Sequence, residues 1–333
     1  MRSPDLDARI ADALQEGLPL TERPYRTMAE ALSRSEAEVL ETTARLIADG
    51  TLRSFGAFVD YDRLGYEGFL CGVSSPEKRI ALLPALAALL NARDEVTHNY
   101  LRSGDVGVWF TALLRGDGAQ RLEADLRALD LPFILLRSRR RIKLRPSFRM
   151  QGEEADAREE TIEPLQASMH LDLDDTEIHR TLSQLQTGFP VEERPYAQAA
   201  GRLNLEESEL LVRLSLLKGH GILRRIGASL NHLKAGYAAN ALLALDYGDE
   251  TADAEAGAAI SRHPWLSHCY LRVPVVNTLP YEWPYGLYAM IHARSKADLQ
   301  ERIALLEREC KPKHLLVMPT LRELKKTRYL LKG

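Results

Sequence analysis

Cysteine is scarce in this chain. Cys71, Cys269 and Cys310 are its only three, widely spaced and odd in number, so neither a disulfide framework nor a cysteine zinc site is expected. Long apolar runs are also missing. The longest, 80–90, is broken by Pro84 and falls far short of the roughly 20 residues a bilayer span needs, so no membrane partner is expected. The opening MRSPDLDARI puts acids where a secretory signal needs an apolar segment, which predicts a cytoplasmic protein. Charge of one sign is lacking too: a net charge of -3 gives no global reason for a nucleic-acid partner. HExxH and CxxC spacings, Gly-rich phosphate loops and GxSxG elbows are absent, the nine histidines are scattered and paired carboxylates do not stand out. These absences argue against a metal centre, a nucleotide cradle and a serine hydrolase. What remains is an ordinary globular composition, 45% hydrophobic and 27% charged over 333 residues, enough for about two domains.

One unit is written twice. Gly17-Leu18-Pro19 and Arg23-Pro24-Tyr25 recur as Gly188-Phe189-Pro190 and Arg194-Pro195-Tyr196, an offset of 171 residues. The offset holds without a gap through Gly50 and Gly221, Arg53 and Arg224, Gly56-Ala57 and Gly227-Ala228, to Gly65-Tyr66 and Gly236-Tyr237. His98-Asn99-Tyr100-Leu101-Arg102 then matches His268-Cys269-Tyr270-Leu271-Arg272 at an offset of 170. Repetition over so long a stretch indicates duplication and fusion. The 274–284 region is an insertion in the second copy only, and in the register that follows His292 stands opposite Leu113.

Each copy opens with an amphipathic helix: Leu6, Ile10 and Leu14 form one apolar stripe, Ile178, Leu182 and Leu185 the other. A short helix (25–32 or 196–203) follows, then a longer one from Ser35 or Glu206 that stops at Gly50 or Gly221. A strand pair, Leu52 to Val59 and Leu223 to Leu230, reads as a small wing. The rest of copy one reads strand (69–73), helix (80–91), strand (96–102), strand (106–114), helix (119–129), strand (133–144). The predicted fold class is therefore α+β: a tandem duplication of a winged helix-turn-helix followed by a ferredoxin-like βαββαβ domain. The predicted domains are 1–66 (winged helix-turn-helix 1), 67–150 (ferredoxin-like 1), 175–237 (winged helix-turn-helix 2) and 238–333 (ferredoxin-like 2). An acidic linker, 151–174, has no apolar period.

Chemistry concentrates between His263 and Arg294. Trp265 to Val273 and Trp283 to Ala293 read as neighbouring strands separated by the Pro-rich 274–280. The two-residue period puts His268, Tyr270 and Arg272 on one face, with His292 on the partner strand. A lone His or Tyr in a strand is more often structural, but a grouped polar face asks for a ligand. Imidazole, phenol, indole and guanidinium together suit a large, flat, anionic, aromatic one. Arg224 and Arg225 on the second wing strand, and Arg53 in the matching place, read equally as solvated stems or as carboxylate clamps. The run Arg137, Arg139, Arg140, Arg141, Lys143 and Arg145 reads as a charged strand edge. The helix-turn-helix raises DNA binding, but Glu36 and Glu38, and Glu206, Glu207 and Glu209, load the would-be recognition helices with acids that repel phosphate.

A winged helix-turn-helix followed by a ferredoxin-like domain resembles the leucine-responsive regulator (Lrp/AsnC) family. Within it, GFPVEERPY (188–196), RRIGA (224–228), SHCYLR (267–272) and WPYGLYAMIH (283–292) resemble the siroheme decarboxylase family, and the likeness covers both copies as a fused two-subunit form. The resemblance implies a carboxy-lyase that converts the C12 and C18 acetates of siroheme to methyl groups, giving 12,18-didecarboxysiroheme on the route to heme d1 or, alternatively, heme. It implies no added cofactor, the iron belonging to the substrate; the partners are siroheme and its decarboxylated products, with a homo-oligomer open. On this reading His268, His292 and His98 are the proton-donor candidates, with iron ligation by one of them left open. Arg224, Arg225, Arg272, Arg53 and Arg102 hold carboxylates, while Tyr270, Trp283 and Tyr285 line the macrocycle. Copy one lacks both the WPY insertion and the second histidine, which puts an independent second site in doubt. The rivals are an Lrp/AsnC-type DNA-binding regulator with a small effector, and a heme sensor.

Overall fold

The computed structural model describes residues 4–74, 83–144, 148–149 and 173–332; the predicted linker core, 151–172, lies outside them. Copy one runs α1 (Pro4–Glu16), α2 (Pro24–Leu32), α3 (Glu36–Ala48), β1 (Leu52–Val59), β2 (Glu67–Val73), α4 (Leu83–Ala92), β3 (Val96–Arg102), β4 (Val108–Leu114), α5 (Gly118–Ala128) and β5 (Phe133–Leu144). Copy two runs α6 (Asp175–Gln186), α7 (Pro195–Leu203), α8 (Glu207–Gly219), β6 (Leu223–Leu230), β7 (Ala239–Asp246), α9 (Glu250–Ile260), β8 (Leu266–Asn277), β9 (Leu287–Ala293), α10 (Lys296–Cys310) and β10 (His314–Lys326). Local chemistry sets the starts. Pro24 and Pro195 occupy the first helical turn, where a missing N–H costs nothing, and Ser35 with Glu38 forms a capping box on α3. No helix among the described residues is long and apolar enough to cross a membrane.

The wing differs from expectation. Each copy supplies one strand, and β1 pairs antiparallel with β6 across the duplication, Gly56 opposite Gly227. The backbone of α6 lies so close over Gly56 (φ 144°) that a Cβ there would collide with the Leu185 carbonyl, and the Leu14 carbonyl stands over Gly227 in the same way. The repeated Pro and RPY motifs bind the copies to each other: Tyr25 donates to the Pro190 carbonyl (3.4 Å) and Tyr196 to that of Pro19 (3.1 Å). The six helices and both wing strands thus share one core, including Ile10, Leu14, Tyr25, Ile178, Leu182 and Tyr196.

The two βαββαβ units join just as intimately. Their eight strands close an antiparallel barrel in the order β10-β3-β4-β2-β5-β8-β9-β7, in which β5 of copy one pairs with β8 of copy two and β10 with β3. Outward residues such as Phe69, Val108 and Phe110 pack under α4 and α5, and Leu243, Leu271 and Leu287 under α9 and α10. Inward residues make a separate layer, with Leu70, Trp109, Leu136, Leu242 and Tyr288 at its apolar end. Between bulges the strands alternate between these faces, as the period of two requires.

Three local expectations are corrected. The basic run is not a sheet edge: β5 pairs with β2 over Phe133–Arg137 and with β8 along nearly its whole length. Its charges are spent on named partners instead, Arg139 on Glu250 (2.8 Å), Arg141 on Asp60, and Lys143 on the carbonyls of Ser261 (2.8 Å) and His263 (2.7 Å); Arg145 lies outside the described residues. Pro274 belongs to β8, opposite Leu136 next to a bulge, where a strand tolerates a missing donor. The following strand begins at Leu287 rather than Trp283.

Candidate active site

The period of two brings both HxYxR strings to the inside of the one barrel. Leu101 of β3, and Cys269 and Leu271 of β8, pack outward, as do Val96 and Leu266, which lie on the far side of the bulges that precede His98 and His268. That turns His98, Tyr100 and Arg102, and His268, Tyr270 and Arg272, inward. In the ladder His268 faces Met290 and Tyr270 faces Tyr288, so His292, two residues beyond Met290, shares their face. His98 and Tyr100 lie opposite Lys326 and Glu323 of β10, so the second copy completes the first copy's triad and the β5·β8 pairing does the reverse.

The triads are near images of each other. The Arg102 guanidinium lies 5.0 Å from the Tyr100 ring centre and that of Arg272 lies 4.7 Å from Tyr270. Both arginines are buried, 5% and 8% exposed. Arg102 donates to Thr320 Oγ1 (2.8 Å) and the Met318 carbonyl (3.0 Å), and Arg272 to the Leu136 carbonyl (3.5 Å), but the Nε–H of each has no acceptor among the described residues. A buried charged donor left unmatched is costly, which marks each as a place for an anionic oxygen. His98, Tyr100, His268 and Tyr270 are only half-buried although they point into the barrel, so they line interior space that solvent reaches.

Electrostatics keep the imidazoles neutral. Burial, then the charges of Lys326 and neighbouring groups, pushes His98 down to about 3 and His268 to about 4. His292 is lowered well below the ordinary range by burial and by His232 and His268, and its Nδ1 is buried without a partner among the described residues. Burial also lowers Arg102 to about 10 and Lys326 to about 8.

The remaining predicted residues divide. Arg53 reaches Glu323 (3.1 Å) and the Lys326 carbonyl (3.0 Å), and Arg224 reaches the Leu144 carbonyl (3.0 Å), so both wing strands send an arginine to the histidine end of the barrel. Arg225 does not join them: its guanidinium lies over Phe58, 4.1 Å from the ring centre. Trp283 and Tyr285 sit at the opposite end. Trp283 donates to Tyr288 Oη (2.5 Å) and packs on Trp109 and Tyr285, closing the barrel beyond the arginines. A cleft of about 220 Å³ on that side is lined by Arg139, Asp253, Arg272, Trp283 and Tyr285 and by no histidine.

Sequence reasoning missed four groups. Lys326 hydrogen-bonds His232 Nδ1 (3.0 Å), and His232 and Phe148 pack edge-on against His292 at 5.6 and 4.8 Å between ring centres. Tyr100 was legible as the copy-one counterpart of Tyr270. His232 carried no local signal, because copy one has Tyr61 in its place. There Tyr61, Tyr66 and Tyr329 make a ring cluster, with Tyr61 Oη donating to the Tyr329 carbonyl (2.6 Å) and Leu113 packed on the helical core. Copy two holds imidazoles, His232 and His292, where copy one holds a phenol, Tyr61, and a leucine, Leu113.

A family model for the siroheme decarboxylase NirDL-like HTH domain matches residues 7–53 and again 179–224, and one for the AsnC-like ligand binding domain matches 234–325. A siroheme decarboxylase of Hydrogenobacter thermophilus is 30% identical over 329 residues, covering 96% of this chain and 93% of that one. The chain belongs to the siroheme decarboxylase family. Another member, the siroheme decarboxylase NirH subunit of Paracoccus pantotrophus, is 37% identical over 165 residues, 48% of this chain and 96% of its own length, so the match spans about one copy of the repeat. The crystal structure of the siroheme decarboxylase NirDL in complex with an iron-uroporphyrin III analogue superposes with a TM-score of 0.71 at 26% identity, covering 97% of this chain and 93% of that one.

Proposed function

We infer that this chain is a siroheme decarboxylase that removes carbon dioxide from the C12 and C18 acetates of siroheme, giving 12,18-didecarboxysiroheme for heme d1 or an alternative heme route. The observation that carries the reading is the meeting of two HxYxR strands inside one barrel, each with a buried arginine Nε–H lacking an acceptor among the described residues. Arg102 and Arg272 hold ring carboxylates, helped at the rim by Arg53 and Arg224, while Tyr100 and Tyr270 flank the macrocycle. Trp283 and Tyr285 close the deep end. Heterolysis of the C–CO₂ bond leaves its electron pair in the ring system and a proton then completes the methyl, so the step is redox-neutral and needs no added cofactor. The iron arrives with the substrate.

His268 and His292 are the proton donors, with His98 reaching in from the other copy. Being neutral beside the protein's own cations, they gain a proton only when carboxylates arrive to oppose Lys326 and the arginines. DNA is not a partner in this reading: Glu36 and Glu207, in the first turns of α3 and α8, are taken by Arg23 (2.6 Å) and Arg194, and Arg23 also binds Glu193 of the other copy (2.7 Å). The test is anaerobic incubation with siroheme followed by mass spectrometry of the tetrapyrrole. Loss of two carboxyl masses is expected; tight, salt-sensitive operator binding without turnover would establish the regulator instead. His268→Ala and His292→Ala should each lower turnover roughly 10²- to 10⁴-fold. Near-normal turnover in both would remove the histidines from the proton-donor role.

A further inference from the structure

Successive side chains of a strand point to opposite faces, so the residue before His268 ought to point away from it. It does not. The β8·β9 ladder bulges between Leu266 and His268, and the bulge brings Ser267 Oγ to 2.7 Å from His268 Nδ1. Ser267 is 3% exposed, and its hydroxyl also donates to the Met290 carbonyl at 3.4 Å. A hydroxyl has one proton. With that proton on the carbonyl, Ser267 can only accept from the ring, so Nδ1 carries the hydrogen of the neutral imidazole and Nε2 carries the lone pair. His268 Nε2 has no hydrogen-bond partner among the described residues.

Copy one repeats the device without fixing its direction. A bulge between Val96 and His98 places Thr97 Oγ1 at 3.0 Å from His98 Nδ1. Thr97 shares its proton with Thr111 (2.9 Å), which is itself 3.3 Å from Nδ1, and either hydroxyl can be the donor. His98 is therefore free to hold either tautomer. The same bulge aims the preceding hydroxyl at Nδ1 in each copy, and in the second copy an acceptor-only group, the Met290 carbonyl at 3.4 Å, stands ready to take the hydroxyl proton.

We propose that Ser267 is a positioning residue that locks His268 in the Nδ1–H tautomer, presenting Nε2 to the barrel interior as the atom that accepts and then delivers the reaction's proton. This rests on the decarboxylase reading. Nε2 takes up a solvent proton as substrate carboxylates bind, passes it to the methylene carbon after carbon dioxide leaves, and returns to its lone pair, so each turnover consumes one proton per carboxylate lost as carbon dioxide; Ser267 accepts from Nδ1–H throughout. The groups facing His268 are Lys326 of β10, Arg224 of β6, Lys143 of β5, Arg272 of its own strand, His98 of β3 and His292 of β9.

The experiment uses the full chain with ring-¹⁵N histidine, the His268 signals being assigned by their loss in His268→Gln. Wild type should show the Nδ1–H form. Ser267→Ala should shift His268 toward the Nε2–H form and lower kcat on siroheme roughly 10- to 100-fold, the scale of losing an orienting partner, with KM changed less than about threefold. Ser267→Thr should restore both. An Nε2–H His268 in wild-type protein that turns over siroheme overturns the serine's role whatever the variants do, as does a Ser267→Ala protein with unaltered tautomer and kcat. Wild type that leaves siroheme unchanged overturns the catalytic claim through the decarboxylase reading itself, and the tautomer measurement tells the two failures apart.

Discussion

Placing four imidazoles near Lys326 and several arginines has a cost that pH exposes. His98, His268, His292 and His232 all have pKa values below that of an unfolded histidine, chiefly through burial. The unfolded chain therefore binds more protons between roughly pH 6.5 and 4, so stability is full above that window and falls as pH drops through it. With a shift from 6.5 to about 4, His268 alone accounts for on the order of 3 kcal/mol. Urea denaturation at pH 7.5 and 5 should show the loss, and His292→Leu, which imports the copy-one residue, should reduce the pH dependence; an unchanged slope would mean that the imidazoles are not held neutral. The arginines give a second expectation. Arg102→Met and Arg272→Met should each weaken siroheme binding roughly 10- to 100-fold, the worth of a charge-assisted hydrogen bond, in equilibrium titrations. The HxYxR strings were legible because period-two spacing alone decides which three residues share a face. His232 and Lys326 were not, because they reach the site from the loop after β6 and the far end of β10, with no spacing that links them to His268.

At the scale of elements, the helices and strands follow from capping residues, Pro at first turns and alternation, whereas their partners across the duplication do not. Nothing local in LRSFGAFV says that β1 should pair with β6 rather than fold back as a hairpin. The clue lies in the glycines. Gly56 and Gly227 face each other in that ladder, each under the last turn of an opening helix, where the ladder and the helix carbonyls leave no room for a methyl group. Gly56→Ala should cost about 3 kcal/mol, through both the collision with Leu185 and its positive φ, and should lower the thermal midpoint of the whole chain. Gly116→Ala, also at positive φ but with open space around it, should cost less, about 1 kcal/mol. Equal losses at the two positions would mean that helix packing over the wing ladder contributes nothing.

At the scale of the molecule, duplication has built one closed barrel rather than two open sheets. A βαββαβ unit alone leaves its β3-like and β5-like edges unpaired, and here each edge is closed by the other copy, β5 on β8 and β10 on β3. Exposed strand edges of that length invite association, so neither half should persist as a monomer. Once closed, the barrel puts both HxYxR triads around a shared interior, and the copies are then free to diverge: Tyr61 and Leu113 on one side, His232 and His292 on the other. Severing the chain within residues 150–172 tests this directly. Residues 1–150 and 173–333 expressed together should copurify as a one-to-one complex that retains siroheme turnover, since the contacts joining the copies run through β1·β6, β5·β8 and β10·β3 rather than through the peptide link. Expressed apart, each half should aggregate or pair with itself, and the self-pair of residues 1–150, lacking His268, His292 and the serine-fixed tautomer, should bind an iron-uroporphyrin analogue through its two Arg102 side chains while leaving siroheme intact. A monomeric, stable 173–333 half that turns over siroheme by itself would show that the second copy is sufficient and that the first contributes only a frame.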